Sequence, residues 1–234
     1  MKEIAQIRRL SLWIFLIPLI AINTCLLIAV NSSFLEGSIF TVDMIGKSNF
    51  TIPYIDGSLS ISRASRTFPQ YLIFKPAMFF TAFLLYLYWK KNNFLINEFN
   101  NISNKKYKFK TFGILSAIFL IIHSVFLGVD IDVKVFKLFR RVVLLGFIIF
   151  EIIAQSILVY NLFILKNKIK NLLNHKVLIL KILLVSVLAI VALLSIPTLV
   201  TKGNVHFKHA LEWNYFVGVV SFYFLTHLFW KKNL

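Results

Sequence analysis

Two arginines and two serines lie close together between the first two long apolar segments of the sequence. Arg63 and Arg66 are three residues apart, and guanidinium groups at that spacing can present two forked donors to a phosphate or carboxylate. Ser60 and Ser62 add hydroxyl donors beside them. We therefore interpret this stretch as a candidate ligand-binding segment. The alternative is a solvated, turn-rich connection whose arginines touch lipid headgroups without specificity.

A second group of ionisable residues opens the last apolar segment. His206, His209 and Glu212 follow one another at intervals of three, which places them on one face of a helix. Two imidazoles and a carboxylate can act as acid and base on a headgroup ester, and Asp130 is a further candidate for this role. The H-E-x-x-H pattern is absent, so we predict no metal site and favour an ion-pair network.

The fourth apolar segment contributes three more candidates. Arg140 and Arg141 open it and are candidate ligands for an anionic headgroup, whereas Glu151 lies near its middle with Gln155 one helical turn later. An ionisable side chain inside a membrane span is costly and usually faces the interior of the bundle. We expect Glu151 to be either protonated or paired with a cation such as His123. Its role is then proton handling, headgroup contact or a structural hydrogen bond between helices.

The composition indicates the elements that must position these residues. Of 234 residues, 59% are hydrophobic and only 15% are charged, so lipid must cover much of the surface. About 20 apolar residues in a helix cross the bilayer core. The sequence predicts an all-α membrane protein, residues 1–234 forming a single domain with a six-transmembrane helix bundle. The predicted spans are residues 10–30, 71–89, 109–129, 138–165, 177–199 and 209–230.

The long connection between the first two spans is predicted to lie on the outer side. Its residues 38–45 and 49–54 flank Gly46 and are rich in β-branched and aromatic residues, which predicts a small β-hairpin. A separate short helix on the inner membrane surface is predicted within residues 92–104, where apolar residues recur at helical spacing.

The net charge of +17 is distributed unevenly over the predicted loops. Most of the 26 Lys and Arg residues fall on the side that also carries both termini, and this excess predicts a cytoplasmic location for the amino and carboxyl termini. Anionic lipid headgroups at that face are the expected partners. Because no RNA-binding or recognition-helix pattern is present, we expect no nucleic-acid partner. No glycine-rich phosphate loop or G-x-S-x-G motif is found, and we expect no cofactor.

The outer segment and the last span resemble a family of six-helix membrane proteins that includes the GPI-anchor lipid-remodelling Frag proteins, the DRAM autophagy modulators and the fungal Sfk proteins. The resembling motifs are Pro53-Tyr54, Ser60-Ile61-Ser62-Arg63-Ala64, Pro69-Gln70-Tyr71 and His209-Ala210-Leu211-Glu212-Trp213. The resemblance implies a lipid-binding or lipid-remodelling role.

Several functions remain open from the sequence. The leading hypothesis is a lipid-binding or lipid-remodelling membrane protein with a polar pocket in the outer leaflet. A membrane-embedded acyltransferase or hydrolase using His206 or His209 is a second hypothesis. A small proton-coupled transporter using Glu151 is a third, and a regulatory membrane partner is a fourth. The oligomeric state is open in all four.

Overall fold

The apolar segments of the sequence form α-helices in a computed structural model that describes residues 2–35, 38, 49–99, 108–129, 133–200 and 203–231. No strand longer than an isolated bridge occurs within these ranges. A short 3-10 helix, Ser32–Leu35, follows the first helix. The α-helices are α1 Lys2–Val30, α2 Ile61–Ser65, α3 Gln70–Phe99, α4 Phe109–Phe126, α5 Lys134–Leu165, α6 His175–Val200 and α7 Val205–Phe229.

Five of the described helices, α1, α3, α4, α5 and α6, are long and apolar enough to cross a membrane. The helix α7 has 25 residues, which at about 1.5 Å per residue is also sufficient length. Its apolar sequence is interrupted by Glu212, Asn214 and His227. The structure therefore agrees with an all-α membrane protein.

The six long helices form a closed ring. Each of α1, α3, α4, α5, α6 and α7 packs against the next one, and α7 returns to pack against α1. Small residues allow the helices to approach closely, since a Cβ atom on Gly113 would lie 2.3 Å from the Trp89 ring and one on Gly146 would lie 2.5 Å from the Phe119 ring. The interior of this ring is where buried polar side chains from different helices meet.

The helix α1 begins earlier, and α3 ends later, than the bounds predicted for the first two spans. The helix α1 begins at Lys2, and α3 continues to Phe99 as one helix, where a separate surface helix is predicted. The extensions pair with each other, because Lys91 donates to Glu3 at 2.9 Å and also contacts Gln6. These polar contacts let the helices continue beyond the apolar runs from which their bounds are predicted.

The end of the ring where α7 finishes is also closed by backbone contacts. Leu173 and Trp230 form an antiparallel bridge, the amide of Asn174 donates to the Phe229 carbonyl at 2.8 Å, and the Lys231 amide donates to Leu172 at 3.0 Å. The connection between α5 and α6 is thereby fastened to the residues that follow α7.

Part of the predicted β-hairpin lies outside the described residues. Of its first strand, only Ser38 is described. Residues 49–54, the predicted second strand, form bends and a turn. The physical reason is local: the carboxylate of Asp56 turns back on Thr51 and Ile52 and draws this segment into a turn.

Candidate functional site

The outer segment of residues 51–66, which we call the outer loop, begins with a turn organised by Asp56. Its carboxylate accepts from the hydroxyl of Thr51 at 2.6 Å and from the amides of Ser58 and Ile52 at 2.8 and 2.9 Å. These hydrogen bonds, led by that from Thr51, hold the pKa of Asp56 well below its usual value. The turn therefore depends on an ionised carboxylate.

The outer loop is docked on the first turns of α7. The Gly57 carbonyl lies 2.9 Å from Nδ1 of His209, and the indole of Trp213 donates to the Leu59 carbonyl at 2.7 Å. The ring of Tyr54 packs on Trp213 with centroids 4.8 Å apart, and the hydroxyl of Tyr54 donates to Asn23 of α1 at 2.8 Å. The loop thus connects α7 to α1 at the outer end of the ring.

The helix α2 carries the predicted ligand-binding residues towards α7. Ser60 is its N-cap, with a hydroxyl that accepts from the amide of Arg63 at 3.2 Å. The amide of Ser62 interacts with the carboxyl group of Glu212. The charge of Arg63, whose side chain is exposed, acts on His209. Residues predicted from two distant parts of the sequence therefore meet here, and we call Ser62, Arg63, His209 and Glu212 the outer cluster.

Contacts with α4 and α5 are seen at other predicted residues. Arg66 ends α2, and its carbonyl lies against Gly128 at the end of α4. Arg140 donates to the Val129 carbonyl at 3.3 Å and lies over the ring of Phe136 at 5.9 Å, and Arg141 is exposed on α5.

The remaining two predicted residues differ in how they are placed. His206 is exposed and lies one helical turn before His209, which is affected by the charge of His206. Asp130 lies outside the described residues. Within the described ranges, no group of three metal-binding side chains is positioned to hold an ion.

A second polar group lies inside the ring around Glu151, which is only 1% exposed. Its carboxyl group contacts the hydroxyl of Tyr223 from α7, the amide of Gln155 at 3.0 Å and the hydroxyl of Ser116 from α4 at 2.5 Å. His123, the partner suggested from the sequence, lies instead near Arg140. Hydrogen bonds from three helices therefore surround this carboxyl group.

Lys181 is a buried basic residue that none of the candidate sites predicted from the sequence includes. Its side chain is 0% exposed, and Nζ donates to the hydroxyl of Thr226 at 2.5 Å and lies 3.9 Å from the centre of the Phe222 ring. The hydroxyl of Tyr88 lies 3.3 Å from the same Thr226 oxygen. The ring of Tyr88 packs edge-on against Tyr223 with centroids 5.0 Å apart.

Lys181 and Glu151 are thus joined by hydroxyl and ring contacts, and we call these residues with Tyr223, Tyr88 and Thr226 the buried chain. The signal for Lys181 is present in the sequence, because this residue lies inside the predicted fifth span, as Glu151 lies inside the fourth.

The buried chain and the outer cluster are the two candidate sites that this geometry presents. No protein-family model matches the chain, and no significant match is found among curated proteins or solved structures.

Proposed function

We propose that this chain is a six-span membrane protein that binds the polar headgroup of a lipid at the outer cluster, with both termini in the cytoplasm. The observation that carries the proposal is the docking of the outer loop on α7, which brings the Ser62 amide to Glu212 and the charge of the exposed Arg63 close enough to act on His209. Basic, acidic and hydroxyl side chains from two distant parts of the sequence then lie at one end of the bundle.

The chemistry of the outer cluster fits a headgroup that has both an anionic and a hydrogen-bond-donating part. The guanidinium of Arg63 suits a phosphate, to which it can donate two parallel hydrogen bonds. The Glu212 carboxyl group and the Ser62 hydroxyl suit an amine or hydroxyl of the same headgroup. In the neutral imidazole of His209, donation from Nδ1 to the Gly57 carbonyl leaves Nε2 as an acceptor.

The sixth span of the proposal is α7. Its polar residues are used in contacts within the protein: Asn214 donates to the Tyr54 carbonyl at 2.7 Å, and His227 contacts the Arg8 carbonyl at 3.0 Å. Because α7 packs between α6 and α1, it completes the ring. The contact of His227 with Arg8 supports termini that share one side, which the excess of Lys and Arg on the predicted inner loops would place in the cytoplasm.

A lipid-remodelling role extends the binding proposal and rests on the resemblance to the Frag, DRAM and Sfk proteins. In this form of the proposal, Nε2 of His209 serves as the base for acyl transfer or hydrolysis at a bound headgroup ester. Turnover of labelled phospholipid by the purified protein tests it. His209→Ala is expected to abolish turnover, and turnover unchanged by the substitution would contradict a catalytic role.

The binding proposal is tested with Arg63→Ala in the full-length protein reconstituted into nanodiscs. Binding of a short-chain phosphatidylethanolamine is measured by native mass spectrometry. We expect at least a tenfold loss of affinity, because the phosphate loses a charge-assisted pair of hydrogen bonds.

The matched control is Arg9→Ala, which removes an exposed arginine near the start of α1, at the end of the bundle where Arg8 contacts His227. It is expected to bind the lipid as the wild type does. Equal affinity for Arg63→Ala and wild type, or equal losses in the two variants, would contradict a specific site.

A further inference from the structure

We propose that a groove between α3 and α4 binds one anionic phospholipid, with the phosphate at Lys75 and part of one acyl chain in the groove. The groove lies on the outside of the ring and shares no residue with the outer cluster. The proposal therefore does not depend on headgroup binding at the outer cluster. It rests on the lining of the groove and on the cation at one end of it.

The groove has a volume of about 230 Å³ and is lined by side chains of α3 and α4. Its floor includes Ala82 and Ala117, which are buried, and these small side chains leave space between the two helices. Its walls are larger apolar side chains that are exposed on the outside of the ring: Phe79, Phe83, Tyr86, Ile118 and Ile121. In a membrane-spanning bundle, such a surface is covered by lipid chains.

The spacing of the lining residues places a positive charge at one end of the groove. On α3, Lys75 precedes Phe79 by four residues and therefore lies on the same helix face. On α4, Val125 follows Ile121 by four residues and likewise shares its face. The two helices meet at this level, since Nζ of Lys75 lies 3.4 Å from the Val125 carbonyl oxygen. The ammonium is thus about one helical turn, roughly 5 Å, beyond the apolar groove.

The ammonium of Lys75 retains donors for a phosphate. Among the described residues, no carboxylate forms an ion pair with it, and the Val125 carbonyl uses one of its three donors. The ring of Tyr71 lies 5.6 Å from Nζ, which favours a cation at this position. Side chains of a helix point towards its N-terminus, so Lys75 is directed towards the outer loop. A lysine near the end of a span reaches the headgroup layer in this way.

The dimensions of the site match one leaflet. From Lys75 to Tyr86, α3 rises about 16 Å, which is close to half of the roughly 30 Å apolar core of a bilayer. A lipid with its phosphate at Lys75 therefore extends its acyl chain along the groove within the same leaflet.

The headgroup decides which lipid is preferred. Lipid chains elsewhere in the bilayer are as apolar as the groove, so burying an acyl chain there gives no hydrophobic gain and hence no preference. A net negative headgroup gains roughly 1 kcal/mol from a basic residue near the surface. A zwitterionic headgroup instead brings a second positive charge towards Lys75. We therefore assign the site to an anionic phospholipid.

The experiment uses the full-length protein in nanodiscs that contain equal amounts of phosphatidylglycerol and phosphatidylcholine. Every sample carries Arg63→Ala, so that binding at the outer cluster is weakened throughout. Native mass spectrometry identifies the last lipid to dissociate as the collision energy is raised. We expect phosphatidylglycerol to be this lipid in preference to phosphatidylcholine, and equal retention of the two would contradict an anionic ligand.

The role of the cation is tested with Lys75→Met. The ratio of retained phosphatidylglycerol to phosphatidylcholine is expected to fall about fivefold, the factor that corresponds to one basic residue near the surface. Lys75→Arg should keep the ratio, because a guanidinium also binds phosphate. The matched control is Lys134→Met, which removes an exposed lysine from the start of α5 and should leave the ratio unchanged. Equal ratios in Lys75→Met and Lys134→Met would overturn the proposal.

The role of the groove is tested with Ile118→Trp, which fills it from an exposed wall position. We expect weaker retention of both lipids, whereas Ile190→Trp, at an exposed position on α6, should retain them as the parent protein does. Undiminished retention in Ile118→Trp would rule out an acyl chain in the groove. A dimer that Ile118→Trp dissociates would assign the groove to a second copy of this chain and overturn the lipid site.

Discussion

At the residue scale, the outer cluster depends on the absence of a side chain at Gly57. This residue has φ +61°, and a Cβ atom there would lie 1.7 Å from the His206 carbonyl oxygen. Gly57→Ala must therefore displace the outer loop from α7. We expect a loss of roughly 1 to 3 kcal/mol in stability from the backbone strain alone, visible as a lower Tm of the detergent-solubilised protein.

Gly203→Ala is the control for the contact at Gly57. It also has a positive φ, +98°, but no atom lies within 4 Å of the position of its Cβ. Backbone strain without a clash is expected to have the smaller effect. An equal decrease in Tm in both variants would show that the close packing of Gly57 against α7 does not contribute to stability.

The turn at Asp56 makes a prediction about pH. Because hydrogen bonds lower the pKa of Asp56 in the folded protein, its contribution to stability is present above the ordinary aspartate pKa of 3.8 and is lost as the pH falls towards the lowered value. Asp56→Asn is therefore expected to lower Tm at pH 7. The difference in Tm between Asp56→Asn and wild type should shrink below pH 3.8, as measured in melting curves recorded from pH 7 downwards. A Tm difference that stays constant with pH would contradict this role of Asp56.

The residue scale is also where the sequence shows most clearly what it can and cannot predict. A carboxyl group in the middle of an apolar run has to face the interior, which makes Glu151 recognisable. Its partners are not recognisable, because Ser116 and Tyr223 lie 35 and 72 residues away and their contact depends on how three helices pack. Lys181 lies near the inner end of its span, where a lysine can also reach the headgroups, so its burial depends on the rotation of α6.

At the element scale, the composition of α7 does not decide whether this helix crosses the membrane. If it crosses the membrane, Gly203 and Lys231 lie on opposite sides. Gly203→Cys should react with a membrane-impermeant maleimide in intact cells, and Lys231→Cys only after permeabilisation. Cys25 is buried and should contribute little background. Labelling of both cysteines from the same side would contradict the six-span topology.

The sequence predicts that the helices form, but it predicts less accurately where they begin and end. The apolar runs of α1 and α3 mark where lipid surrounds the chain, but their helices continue into polar sequence. Asn92 is tolerated within α3 because its side chain donates to the Tyr88 carbonyl at 2.9 Å. Lys91 and Glu3 are 88 positions apart in the sequence. Their pairing therefore cannot be predicted from the hydrophobic periodicity of either helix.

At the scale of the whole molecule, the net charge of +17 predicts a dependence on lipid composition. Exposed lysines of the inner end, including Lys168, Lys170 and Lys176, can bind anionic headgroups, with roughly 1 kcal/mol expected for each residue near the surface. We expect a higher Tm in nanodiscs containing phosphatidylglycerol than in pure phosphatidylcholine. High salt should reduce the difference, and a salt-independent difference would argue against an electrostatic origin.

The closed ring has a consequence for the order in which the protein can be assembled during synthesis. The helices α1 to α6 are synthesised before α7, yet α1 and α6 each pack on α7, and Leu173 pairs with Trp230 beyond it. Until α7 inserts, Lys181 has no Thr226 to contact and Glu151 has no Tyr223. We therefore expect the nascent chain to hold two incompletely bonded ionisable groups until α7 has packed.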